Sequence, residues 1–329
     1  VDFPDVNIRL CKIAQKAGVR ICYYISPQVW AWRWRRIYKI AAVVDRMMTI
    51  FPFEEKLYSD VGVRAYFVGH TMVRDIPQNM DKHKLRSELG IRNQNYLVTL
   101  APGSRRSEII RVLPIMCDAA RSHLTHCPDT EFVVPLASSH LKELIENILR
   151  ESQLEAKIVM GEASRTMGAS DYGLVTSGTA TLQAALAKMP HAVVYIIDKF
   201  SWFLATKILM PLVMDPNIHV AIANMLCIKN PSESENPIDI MIERGYRINC
   251  LGCGRPLLVP ELLQNHATTE NLAEWLDRFK SDPNLRIAME AAFSKLREVL
   301  EPHASNPSPS DILIELITEK HREISLLNS

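Results

Sequence analysis

Residues 98–109 read VTLAPGSRRSEI, and this stretch decides the fold. Val98, Thr99 and Leu100 close a β-favouring run, Pro102-Gly103-Ser104 makes a turn, and a helix opens at once. A strand that passes through a glycine turn straight into a helix is the corner of a parallel βα unit. Gly103 permits close backbone approach, and the new helix presents unpaired N–H groups at its positive end. Arg105 can reach the same anion with two hydrogen bonds. The stretch therefore suits a diphosphate, without the lysine pattern of a Walker loop. An ordinary βα turn capped by Ser104 fits this one stretch equally well.

A second stretch repeats the design. LVTSGTATLQAALAKMP (174–190) ends a strand on Ser177, Gly178 and Thr179, with a helix expected to open at Ser177. Two small-residue loops at strand C-termini place a ligand at the switch point of an open α/β sheet. GEASRT (161–166) looks similar, but it only joins a strand to the next helix.

Working outward, short β-rich runs alternate with helical periodicity on both sides. Strands are expected at 20–25, 46–50 and 64–69, with helices over 5–18, 33–45 and 52–62. HTMVRDIPQNMDKHK (70–84) breaks the rhythm and reads as a linker. Strands follow at 96–100, 131–136, 156–160, 171–175 and 191–196, separated by helices that include 106–124, 139–151 and one around 201–210. Helices over 271–279, 285–300 and 312–324 complete the chain. The fold class is α/β with two Rossmann-like, doubly wound domains. A partial first domain spans 1–75, a second spans 76–300, and a helical tail covers 301–329.

Bulk properties narrow the function. The 329 residues carry 38 Lys+Arg against 37 Asp+Glu, a net charge of +1, which argues against a nucleic-acid partner. Seven cysteines have no repeated spacing, and only Cys250 and Cys253 form a CxxC. Without a second pair they read as plain reduced thiols in a cytosolic setting rather than a metal site. SWFLATKILMPLVM (201–214) is too short to span a bilayer and is broken by Lys207 and Pro211. Val1 opens a segment that already reads as the middle of a fold, so the sequence is expected to begin inside its domain.

YYISPQVWAWRWRRIYKI (23–40) holds Trp30, Trp32 and Trp34 interleaved with Arg33, Arg35 and Arg36. Aromatic and basic residues together suit stacked bases, a lipid headgroup layer or a ligand wall. The plainer reading packs the tryptophans and leaves the arginines in water.

In order, VDFPDVNIRL, YYISPQVWAWRWRRIYKI, FPFEEKLY, FVGHT, LAPGSRRSEI, ASDYGLVTSGTATL and VPELLQ resemble the lipid-A-disaccharide synthases over nearly the whole chain. The resemblance implies a GT-B type, inverting, metal-independent glycosyltransferase that needs no cofactor. Its donor would be UDP-2,3-diacylglucosamine and its acceptor 2,3-diacylglucosamine 1-phosphate. The products would be UDP and the β-1,6-linked disaccharide 1-phosphate. Asp2 matches the family's essential aspartate, a base for the acceptor 6-hydroxyl, with Asp5 its competitor or else the cap of the following helix. His70 falls at the domain junction, as a hinge or an aid to proton transfer. Gly103, Ser104 and Arg105 would hold the diphosphate, and Ser177, Gly178 and Thr179 the rest of the nucleotide, with Asn224 of IANML nearby. Trp34, Arg35 and Arg36 would meet the membrane. A homodimer, peripheral on the cytoplasmic face of the inner membrane, is implied as well.

Three departures stand out. The family's opening section with its GEASGD loop is absent, which would leave the first sheet an unpaired edge and an uncovered face. Gln183 replaces a glutamate that would accept from both ribose hydroxyls. The 28 residues 227–254 interrupt a normally short step, as a surface loop or a mis-assembled gene model. Two alternatives follow: an impaired chain that still binds UDP, or another UDP-sugar enzyme of the same two-domain form.

Overall fold

The computed structural model describes residues 3–327 except 31–33, 93–94, 198–219, 230–235 and 252, with side chains as far as residue 319. The expected helix near 201–210 and the catalytic candidate Asp2 lie outside the described residues. The chain divides into two compact units, one built mainly from residues up to Val73 and from Glu298 onward, the other from Arg74 to Arg297. The tail thus belongs with the first unit.

Unit 1 runs α1 (Pro4–Lys16), β1 (Cys22–Tyr24), α2 (Arg36–Ala41), β2 (Arg46–Thr49), α3 (Pro52–Ser59), β3 (Arg64–Phe67) and α4 (Thr71–Asp75). Its three strands are parallel in the order β1-β2-β3. Central β2 is buried at all four positions, as a parallel strand covered on both faces must be. Ile40, Met47 and Tyr58 are fully buried around it. The helix Pro309–Leu327 adds Ile312, which packs with Met48 and Val68. Buried Arg46 would be costly alone; its Nη2 donates to Glu319 at 2.6 Å and its Nη1 to the Asp45 carbonyl. Arg64 Nη1 reaches the same Glu319 at 2.9 Å.

Two expectations need correction here. The helix foreseen over 33–45 ends at Ala41, because Asp45 turns away to accept from the Ile21 amide at 2.7 Å and from Arg20 at 2.8 Å. The supposed linker 70–84 contains α4 and the start of α5 (Lys82–Glu88), whose cap Asp81 accepts from the Lys84 amide.

Unit 2 continues with β4 (Tyr96–Ala101), α6 (Arg106–His126), β5 (Thr130–Leu136), α7 (Lys142–Glu151), β6 (Ala156–Met160), α8 (Ala163–Ala169), β7 (Tyr172–Thr176), α9 (Thr179–Leu186) and β8 (His191–Tyr195). Short β9 (Ile248–Asn249), β10 (Pro256–Leu257) and β11 (Glu261–Leu263) follow. Six strands form one parallel sheet in the order β11-β8-β7-β4-β5-β6. The apolar runs β4, β5 and β7 are almost wholly buried. Segment 227–254 is no plain surface loop. Its start completes the helix Ile222–Lys229, the helix Pro237–Glu243 buries Ile238 and Met241, and β9 pairs with β10. The CxxC lies at the turn of that hairpin, where the Cys250 amide donates to the Arg255 carbonyl. All seven cysteines are free thiols.

Candidate functional site

The chain lays down β4, β5 and β6 in one direction, then returns to the other side of β4 with β7, β8 and β11. The order therefore reverses between β4 and β7, which pair from Val98↔Tyr172 to Ala101↔Val175. A crevice opens beyond the carboxyl ends of the strands at such a point. The loops after these two strands are the two stretches singled out in the sequence.

On the β4 side, Gly103 adopts φ 107°, and a Cβ there would stand 2.5 Å from Glu108 Oε2. The positive φ favours glycine, and a side chain there would have to push the Glu108 carboxylate aside. Glu108 folds back over the turn and accepts from the Arg105 amide at 3.3 Å and from Arg105 Nη1 at 3.0 Å. Ser104 is exposed, and the Arg105 side chain is 79% exposed, so its tie to Glu108 is weak and open to exchange with a ligand. Tyr195, at the end of β8, has its hydroxyl raised by burial first and by Glu108 next, with Arg105 opposing. The sequence reading missed both Glu108 and Tyr195, since each reaches the loop only through the fold.

On the β7 side, α9 begins at Thr179 rather than at Ser177, with Gly178 as its N-cap at φ 126°. The space where a Gly178 Cβ would sit is open, and Thr179 is exposed. Ser177 differs from expectation: its hydroxyl donates to the Val220 carbonyl at 2.8 Å, so it braces the loop. Gln183 is half-buried one turn into α9.

Asn224 is fully buried and acts as a clamp. Its Oδ1 accepts from the Leu258 and Val259 amides at 2.8 and 2.9 Å, and its Nδ2 donates to the Val259 carbonyl and to Glu261 Oε1. Glu261 also accepts from the Ala221 amide at 3.0 Å, and Ala221 bridges to Gly178. Asn224 and Glu261 thus fix the floor under the 177–179 loop. Glu261 sits in the quoted VPELLQ, yet nothing in the local sequence marks it as Asn224's partner.

The unit 1 candidates fall into two places. His70 is buried, stacks tilted on Phe51 at 5.3 Å, and its Nδ1 accepts from the Met72 amide at the start of α4. Asp5 lies in the first turn of α1, where Phe3 holds the N-cap position, so Asp5 is not the cap. Its Oδ1 accepts from Arg36 Nη2 at 2.6 Å. Asp5, Arg35 and Arg36 line one cavity together. Trp34 is 47% exposed with Arg35 over its ring, and it touches Tyr38 edge-on. Trp30 instead turns inward: its indole N–H donates to buried Glu54 at 2.8 Å, between Phe51 and Phe53. Trp32 lies outside the described residues.

Among the described residues, His123, Cys127 and Asp277 bring potential metal ligands within 4.8 Å of one another. Both His123 nitrogens are already used, Nδ1 with Asp277 at 2.5 Å and Nε2 with the Tyr172 hydroxyl at 3.2 Å. Burial, the largest influence, lowers the imidazole pKa, with Asp277 opposing, and the cluster reads as a hydrogen-bonded polar network near the start of β7.

The family model for lipid-A-disaccharide synthetase matches residues 1–238. The chain belongs to the lipid-A-disaccharide synthase family. It is 32% identical over 322 residues to lipid-A-disaccharide synthase 1 of Legionella pneumophila, covering 98% of this chain and 75% of the relative. It is 39% identical over 300 residues to the synthase of Anaeromyxobacter dehalogenans, covering 91% of this chain and 69% of the relative. A solved UDP-GlcNAc 2-epimerase from Neisseria meningitidis, bound to UDP-GlcNAc, superposes with a TM-score of 0.50 at 10% identity, covering 89% of this chain and 72% of that one. That likeness concerns the fold, and it agrees with the parallel-sheet, Rossmann-like class read from the sequence.

Proposed function

We propose that this synthase-family chain transfers a 2,3-diacylglucosamine unit from its UDP derivative to the 6-hydroxyl of 2,3-diacylglucosamine 1-phosphate. The products are the β-1,6-linked lipid A disaccharide 1-phosphate and UDP. One observation carries the reading: in a chain of this family, two phosphate-suited loops flank the switch point of the unit 2 sheet.

In this reading Arg105 leaves Glu108 and pairs the diphosphate, together with the amides of Ser104 and the first turn of α6. The cation stabilises charge that develops on the departing UDP. Gly178 gives the ligand room at the second loop, and Thr179 offers its hydroxyl and amide. Asn224 serves as the brace beneath that loop. Asp2 is the proposed base, with Asp5 the alternative although Arg36 holds it. His70 takes the hinge role, since it caps α4 through Nδ1.

Acylated substrates require work at a bilayer surface, and no described helix is long and apolar enough to cross a membrane. Exposed Trp34 with Arg35 and Arg36 suits headgroup contact on the cytoplasmic face; Arg35→Glu/Arg36→Glu should reduce vesicle binding. A homodimer completes the reading, and light scattering of the purified chain tests it.

The deciding assay is UDP release from the diacylated donor with and without the diacylated acceptor. Acceptor-dependent release that disappears in Arg105→Ala supports the synthase. Gln183 favours a second reading, a chain that binds UDP but turns over poorly. Saturable UDP binding, lost in Arg105→Ala and unaccompanied by release, would select it.

A further inference from the structure

A cavity of about 370 Å³ lies in unit 1 between the first two helices. From α1 it takes Asp5, Ile8, Arg9 and Lys12; from the start and body of α2 it takes Arg35, Arg36 and Lys39. Five cations and one carboxylate therefore converge on one concavity, in a chain whose net charge is only +1. Asp5 is already paired with Arg36. Arg9, Lys12, Arg35 and Lys39 have no carboxylate partner among the described residues. Exposed lysines usually solvate separately and carry no message. Here positions 5, 9 and 12 share one face of α1, as helical spacing requires, and that face meets the basic face of α2. Converging like charges repel, so the cluster gains from an anion that several can reach at once.

We propose that this cavity is a phosphate seat, separate from the nucleotide crevice of unit 2, which takes a phosphate monoester or a phospholipid headgroup phosphate. The seat itself is independent of the proposed glycosyl transfer; that reading matters only for which molecule carries the phosphate. Ile8 supplies an apolar floor, Arg36 is held in place by Asp5, and Lys12 and Lys39 face the anion from opposite helices.

The test uses the full chain and two probes: glucosamine 1-phosphate by calorimetry, and phosphatidylglycerol vesicles against phosphatidylcholine vesicles by sedimentation. Lys12→Glu/Lys39→Glu is compared with Lys12→Arg/Lys39→Arg, with tryptophan fluorescence of the Trp30 region as the check that unit 1 is folded. Saturable glucosamine 1-phosphate binding, weakened about tenfold or more by the Glu pair and kept by the Arg pair, supports a monoester seat. Binding only to anionic vesicles, with the same variant pattern, supports a headgroup seat. If neither probe binds, or the Glu pair binds both as well as the native chain, the proposal falls. Loss of UDP binding in the native chain would count against the glycosyltransferase reading and leave the seat to be judged by its own two probes.

Discussion

In the proposed nucleotide site, Gln183 would weaken the hold on the ligand and Arg105 would strengthen it. A neutral glutamine oxygen accepts from a ribose hydroxyl more weakly than a carboxylate does. Gln183→Glu should therefore tighten UDP binding, by about tenfold for a gain near 1.4 kcal/mol, read by calorimetry. Arg105→Ala should weaken UDP binding by about 1.5–3 kcal/mol, the range for a hydrogen bond to a charged group. Because Arg105 is exposed and its Glu108 tie is weak, the melting temperature should hardly move. Glu54 makes a different prediction. Burial pushes its carboxyl from the ordinary 4.5 up to about 7, against the pull of the Trp30 indole and the Phe51 amide. The folded state thus keeps a proton that the unfolded state has lost, so stability should fall as pH rises from 4.5 to 7 and then level off. The drop is on the order of 3 kcal/mol. Chemical denaturation across that range should show the slope, and Glu54→Gln should flatten it. The glycine turns are legible in sequence because local backbone chemistry dictates them, and Arg105 because it follows one of them, whereas the Gln183 departure is legible only through the family resemblance. Glu54 is not, since only the fold removes it from water.

At the scale of elements, legibility followed burial pattern. β4, β5 and β7 announce themselves as apolar runs because a parallel strand is covered on both faces. α4 passed for linker because a five-residue helix has little periodicity, and what fixes its start is the His70 cap. The brace of Asn224 on Glu261 joins residues 37 apart, a distance at which no motif speaks. Asn224→Ala would strand the Leu258 and Val259 amides inside unit 2 and take one donor from Glu261, which keeps the Ala221 amide. A loss of about 2–5 kcal/mol follows from several buried polar groups left unpaired, and UDP affinity should fall with it as the 177–179 loop loosens. Asn224→Asp should also fail, because a second carboxylate would face Glu261. Denaturation midpoints and UDP titration of both variants give the check.

At the scale of the whole molecule, the C-terminal helix Pro309–Leu327 belongs to the unit that the N-terminal strands form. Periodicity shows the helix but not its destination. Ile312→Ala should cost about 2–4 kcal/mol, the usual penalty for a cavity in a packed site, and the loss should fall on unit 1. UDP binding, proposed for unit 2, should persist. Two probes, tryptophan fluorescence for the Trp30 region and ligand protection for unit 2, separate the outcomes; equal loss of both would contradict it.

Arg46 meets Glu319 across 273 residues of chain. A ribosome adding about 5–20 residues per second needs on the order of tens of seconds to travel that far. Throughout that interval β2 has been made but the helix that covers it has not, while the whole of the six-stranded sheet emerges and can close. The order of synthesis and the order of completion are therefore reversed for these elements: strands made before the six-stranded sheet wait for a helix made after it. During translation its uncovered face is a natural client for holding chaperones, and a nonsense codon ahead of Pro309 would leave β2 without the helix that covers it.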